Sequence, residues 1–161
     1  MHAVGAPKKN AHAGQPEILM KGCCRRNSRE EIMTAITIYW ISTALLSLLY
    51  LTSALLYATK GNWVRQILVG LGYPAYLVPV MIVVKVLGPV AILSRFSVAL
   101  SDLAYAGIFY HLLLSGMAHL GVRNPSSALP ALVGLLLLAA SFATQNAARE
   151  VPSPYVQTAA L

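Results

Sequence analysis

Residues 71–93, LGYPAYLVPVMIVVKVLGPVAIL, constrain this chain more than any other stretch. The run is almost wholly apolar and long enough to cross a bilayer. One charge, Lys85, stands near its middle. A charge at that depth costs roughly 2.5–3.5 kcal/mol on insertion scales, so it is rarely left facing lipid. Other apolar segments must surround it and give it polar company.

Three further segments answer that need. The spacing predicts helices over about 32–58, 74–93, 102–120 and 130–144. The chain has 161 residues, 57% of them hydrophobic and only 11% charged, more apolar side chains than a soluble domain of this size can enclose. The expected fold class is therefore all-α, an integral membrane four-helix transmembrane bundle. Residues 1–30 and 147–161 lack an apolar period and read as disordered tails, the first of them basic. A net charge of +7, concentrated before residue 30, suits topology and anionic headgroups. No nucleic-acid motif accompanies it, so nucleic acid is not an expected partner. Four spans place both termini on one side, and the basic excess puts that side in the cytoplasm. The expected location is a bacterial inner membrane.

Along the first helix Trp40, Thr43, Ser47, Tyr50, Ala54 and Tyr57 recur at steps of three and four. They make one polar, small and aromatic stripe that should face protein, while Leu48 and Leu49 face lipid. Residues 59–71 read as a connector at headgroup depth, with 63–69 able to lie as a short interfacial helix. In the second helix Pro74 suits the first position, whereas Pro79 and Pro89 lie further in and invite kinks. Asp102 reads as the N-terminal cap of the third helix. That helix presents Ala104, Gly107 or Ile108, His111, Ser115 and Ala118 on one small-residue face. Counted at 1.5 Å per residue, Lys85 and His111 reach similar depth.

Adjacent Cys23 and Cys24 cannot staple a fold. They are either free thiols on the tail or, beside Arg25 and Arg26, sites of acylation. His2 and His12 read as solvated tail residues. His111 and His119 are roughly 12 Å apart along one helix, too far to share an ion without a third ligand.

Several strings resemble the DoxX-like family of small membrane proteins. They are Tyr39-Trp40-Ile41-Ser42-Thr43, Leu71-Gly72-Tyr73-Pro74-Ala75-Tyr76-Leu77, Lys85 with Gly88, and Ala104-Tyr105-Ala106-Gly107 followed by His119. The resemblance covers about 39–143 and implies a four-helix transmembrane bundle. It implies no single activity: some relatives serve quinone-linked sulfur or thiosulfate oxidation, and others belong to redox-stress complexes. Where relatives often carry an acidic residue in the middle of the third helix, this chain has His111. That acid would lie at the depth of Lys85 and neutralise it.

No nucleophile–base pair, haem-type histidine pair or metal cluster is legible. The first reading is thus a non-catalytic accessory or partner-binding subunit, working with a membrane or cytoplasmic protein. The alternative is a quinone-linked oxidoreductase membrane subunit. It rests on an intramembrane polar pocket whose candidate cofactor-binding residues are Lys85, His111, Tyr50 and Tyr105, with quinone the candidate cofactor. A small transporter is the weaker third class, because no internal repeat is visible.

Overall fold

The structure is a computed structural model describing residues 15–156, with side chains from residue 29 onward. Cys23 and Cys24 precede those side chains, and His2 and His12 lie outside the described residues. The chain forms α1 (Gln15–Thr59), α2 (Gly61–Gly70), α3 (Leu77–Ser94), α4 (Val98–Gly121) and α5 (Leu129–Thr144). Short 3₁₀ turns occupy Pro125–Ala128 and Gln145–Ala148. Four segments, Arg29–Thr59, Leu77–Ser94, Val98–Gly121 and Pro125–Ala148, are long and apolar enough to span a membrane. The fold is all-helical among the described residues, as the apolar periods require.

The four long helices pack in a ring: α1 touches α3 and α5, and α4 touches the same two from the other side. Their inner faces meet at Leu46, Tyr50, Ile92, Tyr105, Ile108, Leu112, Ala131 and Leu138. Leu48, Leu55, Val83, Leu87, Leu103 and Leu136 remain exposed on the outside. In lipid, outward leucines need no cover, and cohesion comes from close packing and interhelical hydrogen bonds. Glycines supply the close approach. A Cβ at Gly88 would lie 3.0 Å from Ile108 Cδ1, and one at Gly134 would lie 2.9 Å from Leu112 Cδ2. The stripe on α1 is buried at Thr43, Ser47, Tyr50 and Ala54. At its first turn Tyr39 is buried and Trp40 is exposed, so the stripe is one residue out of phase there. Leu49 is half-buried, not lipid-facing, because it reaches toward Gly134.

Several boundaries differ from expectation. The helix of α1 includes residues 15–30, assigned above to the basic tail; 1–14 lie outside the described residues. Once a long span is nucleated, adding turns at its end is easy even without an apolar period. The connector does contain a helix, α2, which buries Val64 and Leu68 against Val78. Gly72, at φ 85°, makes the turn that leads out of it. α3 begins only at Leu77, so Pro79 falls in its first turn, where its missing N–H costs nothing; Pro89 alone lies inside.

α4 begins four residues before Asp102, after extended Ser97. Asp102 is therefore not a cap. It lies inside the helix and fastens the segment that follows α5. There Arg149 Nη1 stands 3.9 Å from Asp102 Oδ1. Gln145 Nε2 donates to Asp102 Oδ1 at 3.3 Å, and Ser153 Oγ donates to Oδ2 at 2.8 Å. Arg149 Nη2 also donates to Ser101 Oγ. The expected disordered tail from residue 147 is accordingly packed as far as Val156. Asn146 donates to the carbonyls of Ser153 and Val156 and receives the N–H of Ser153. A buried carboxylate and a buried guanidinium hold each other, and this segment is what brings the guanidinium in.

Candidate functional site

Lys85 lies midway along α3 and is only 7% exposed. Gly88 and Pro89 follow one turn later, where α3 meets Ile108 of α4. The ammonium is held between two aromatic faces of α1. Its Nζ lies 5.3 Å from the Tyr50 ring centroid and 5.0 Å from that of Tyr57. Such contacts are worth up to about 2 kcal/mol when desolvated. They do not neutralise a charge, and Lys85 forms no ion pair with a carboxylate among the described residues; Asp102, the acid on α4, is paired with Arg149 instead.

His111 of α4 reaches the same place. Its Nδ1 lies 2.9 Å from the Tyr50 hydroxyl, with the rings edge to face at 5.6 Å. The phenol is also 3.4 Å from the Ile108 carbonyl. With the ring proton on Nε2, the phenol donates to Nδ1 and the Nε2–H stays available as a donor. Tyr50 thus ties together the two cationic-type side chains that the sequence places at one depth. Sequence reasoning missed Tyr57 as the second aromatic wall, although Tyr57 closes the α1 stripe.

These residues line a cavity of about 600 Å³ that extends toward α2 and the turn before α5. Its polar wall continues along α4 through Ser115 and His119, each one turn beyond the last. Leu49, Leu56, Val64, Ile67 and Leu112 are among its apolar lining residues, and Trp63 also borders it. Ligand pockets commonly enclose about 300–1,000 Å³, mostly apolar with a few convergent polar groups.

Tyr105 is not among the lining residues of that cavity. It lies nearly two turns before His111 in α4 and points at a different neighbour. Its hydroxyl is 2.6 Å from Ser141 Oγ, which in turn is 2.7 Å from Thr43 Oγ1. This buried Thr43–Ser141–Tyr105 chain joins α1, α5 and α4 and is satisfied within itself. The structure therefore brings Lys85, His111 and Tyr50 together and sets Tyr105 apart. No group of three His, Cys, Asp or Glu side chains suited to a metal ion occurs among the described residues.

No curated protein and no solved structure matches the chain. The model of the DoxX-like family matches residues 41–141, a stretch that begins inside α1, includes Lys85, Tyr50 and His111, and ends at Ser141 of the buried hydroxyl chain. On that match, over most of its length, the chain belongs to the DoxX-like family of membrane proteins.

Proposed function

We propose that the chain is an accessory subunit of a membrane complex whose cavity seats the head of a quinone. One observation carries this reading: Lys85 is a cation in mid-span, without a carboxylate partner among the described residues, beside a cavity large enough for a small ring. A ligand with carbonyl acceptors offers Lys85 what the protein does not. His111 Nε2–H would supply a second donor, Tyr50 would fix the imidazole, and the leucines of α1 would flank an isoprenoid tail. The chain's own residues bind and orient; electrons would be exchanged by a partner protein. The reading as a purely partner-binding subunit is the competitor, and the exposed apolar outer faces of the helices leave room for one.

Purification from native membranes separates the two. The expected result is a co-purifying quinone, seen in its oxidised-minus-reduced absorbance and lost in Lys85→Met. A stoichiometric protein partner with no quinone, in wild type and variant alike, would leave the partner-binding reading. The charge distribution further supports cytoplasmic termini. Reporter fusions in the connection that carries α2, at Trp63, and in the turn at Arg123 should then report the outside, and a cytoplasmic signal from either would refute that orientation.

A further inference from the structure

The cavity beside Lys85 has two unlike ends. Toward the α3–α4 turn it stops against the core, where Leu46, Ile92, Ile108 and Leu138 are buried and line none of it. Leu46 and Ile108 precede Tyr50 and His111 by about one turn in α1 and α4. Ile92 and Leu138 follow Lys85 and Ala131 by about two turns in the oppositely directed α3 and α5. Ile108 presses on Gly88 there, and Leu112 on Gly134, so the helices close tightly. At the other end the wall is open. α2 packs on α1 and α3 and reaches neither α4 nor α5. Trp63, Ile67 and Gly70 of α2 border the cavity from one side, and Val122, Asn124 and Ser127 of the α4–α5 turn border it from the other.

A second, independent feature is the state of the polar wall. Ser53, Ser115 and His119 line the cavity, and their side chains bond to no protein group among the described residues. Hydroxyls elsewhere in the chain behave differently. Ser42, Thr59 and Thr144 each donate to the carbonyl four residues earlier, the usual way a helix satisfies a hydroxyl. A polar group inside a span that protein does not satisfy needs water or a ligand. On α4 His111, Ser115 and His119 follow one another at one-turn intervals, about 6 Å along the axis, a gap that one water closes. All three are half-buried, whereas Lys85 is buried at the floor. The titratable groups that share the cavity with His111 are Tyr50 and Tyr57 of α1, Lys85 of α3 and His119 of α4; α2 and α5 bring none to it.

From this we infer that the cavity is an aqueous half-channel. Water held along Ser53, Ser115 and His119 connects the Lys85–Tyr50–His111 cluster to solution at the α2 end alone, and protons reach the cluster only from that side. The half-channel does not depend on which ligand the cavity seats. For a quinol head in the seat proposed above, it sets the side of proton release. As two electrons pass to a partner's redox centre, both O–H bonds break and both protons leave toward α2.

Thiol labelling of the full chain in sealed vesicles tests this, with Cys23→Ser and Cys24→Ser removing the native thiols. Asn62→Cys beside α2 and Glu150→Cys at the other end mark which side of the vesicle is exposed. Ser53→Cys and Ser115→Cys should react with a membrane-impermeant maleimide where Asn62→Cys does, and fail to react where only Glu150→Cys does. A second measurement reads the protons, with a membrane-permeant maleimide and a pH step across the vesicle. Labelling of Lys85→Cys should quicken roughly tenfold per pH unit on the α2 side, as the thiolate fraction does, and stay constant when the other side is stepped. Ser115→Cys read in the same way carries the test if Lys85→Cys folds poorly. Labelling of the wall thiols from the Glu150 side, from both sides or from neither would overturn the half-channel, as would a rate that ignores pH on the α2 side. The quinone seat stands or falls separately, on co-purification.

Discussion

Replacing Asp102 by alanine is expected to destabilise the bundle by about 3–5 kcal/mol, the usual consequence of removing one partner of a buried ion pair. Asp102 receives three groups: the Arg149 guanidinium at 3.9 Å, the Gln145 amide at 3.3 Å and the Ser153 hydroxyl at 2.8 Å. Arg149 is almost fully buried and already has two unbonded nitrogens, so nothing nearby replaces the lost carboxylate. Asp102→Asn keeps acceptor oxygen for Ser153 or Gln145 and should cost less, about 1–3 kcal/mol. Pairing Asp102→Leu with Arg149→Met should recover most of the loss, because neither residue is then left as a buried lone charge. Reversible unfolding in bicelles measures all four proteins. A change below about 0.5 kcal/mol in Asp102→Ala, the size of an ordinary surface substitution, would mean that the pair is solvated and the segment 149–156 is not docked.

The second large effect concerns Lys85 and His111. His111→Asp is expected to stabilise the wild-type bundle, because the new carboxylate meets Lys85 across the Tyr50 ring. The same substitution in a Lys85→Met background should cost about 3–5 kcal/mol, since it buries a carboxyl with no charge to meet. The coupling between the two positions is the difference of these effects and should therefore exceed about 3 kcal/mol, beyond the usual range for contacting residues. The geometry behind this is the Tyr50 side chain. Its ring lies under Lys85 Nζ and its hydroxyl touches His111 Nδ1. Additive effects in the double-mutant cycle would mean that the two residues are satisfied separately.

The four spans are legible in the sequence because long apolar runs broken by so few charges are soluble almost nowhere but in lipid. The Lys85–Tyr50–His111 cluster is legible too. Depth follows from counting residues, and the small-residue faces of α1 and α4 show which way each helix turns inward. Tyr105 shows where such counting ends. Sharing a helix with His111 says nothing about which neighbour lies opposite, and the hydroxyl of Ser141 on α5 draws Tyr105 into another network. Asp102 misleads for a local reason. Residues 94–101 look like a turn, yet Val98, Ala99 and Leu100 continue readily into the helix and put Asp102 inside it. The docked segment 149–156 is not legible at all. Its prolines describe a loop, and what fastens it is an ion pair between residues far apart in the chain.

The most direct test of the quinone-seat reading uses the two tryptophans of the chain. Trp63 borders the cavity, whereas Trp40 lies beside Arg95 at the other end of the bundle. In a Trp40→Phe protein, Trp63 is the remaining tryptophan, and its fluorescence can be titrated with a short-chain benzoquinone in nanodiscs. Saturable quenching at one site per chain, weakened about tenfold or more by Lys85→Met, is the result expected if Lys85 donates to the quinone carbonyl. Quenching that rises linearly without saturation, and equally in the Lys85→Met protein, would contradict it.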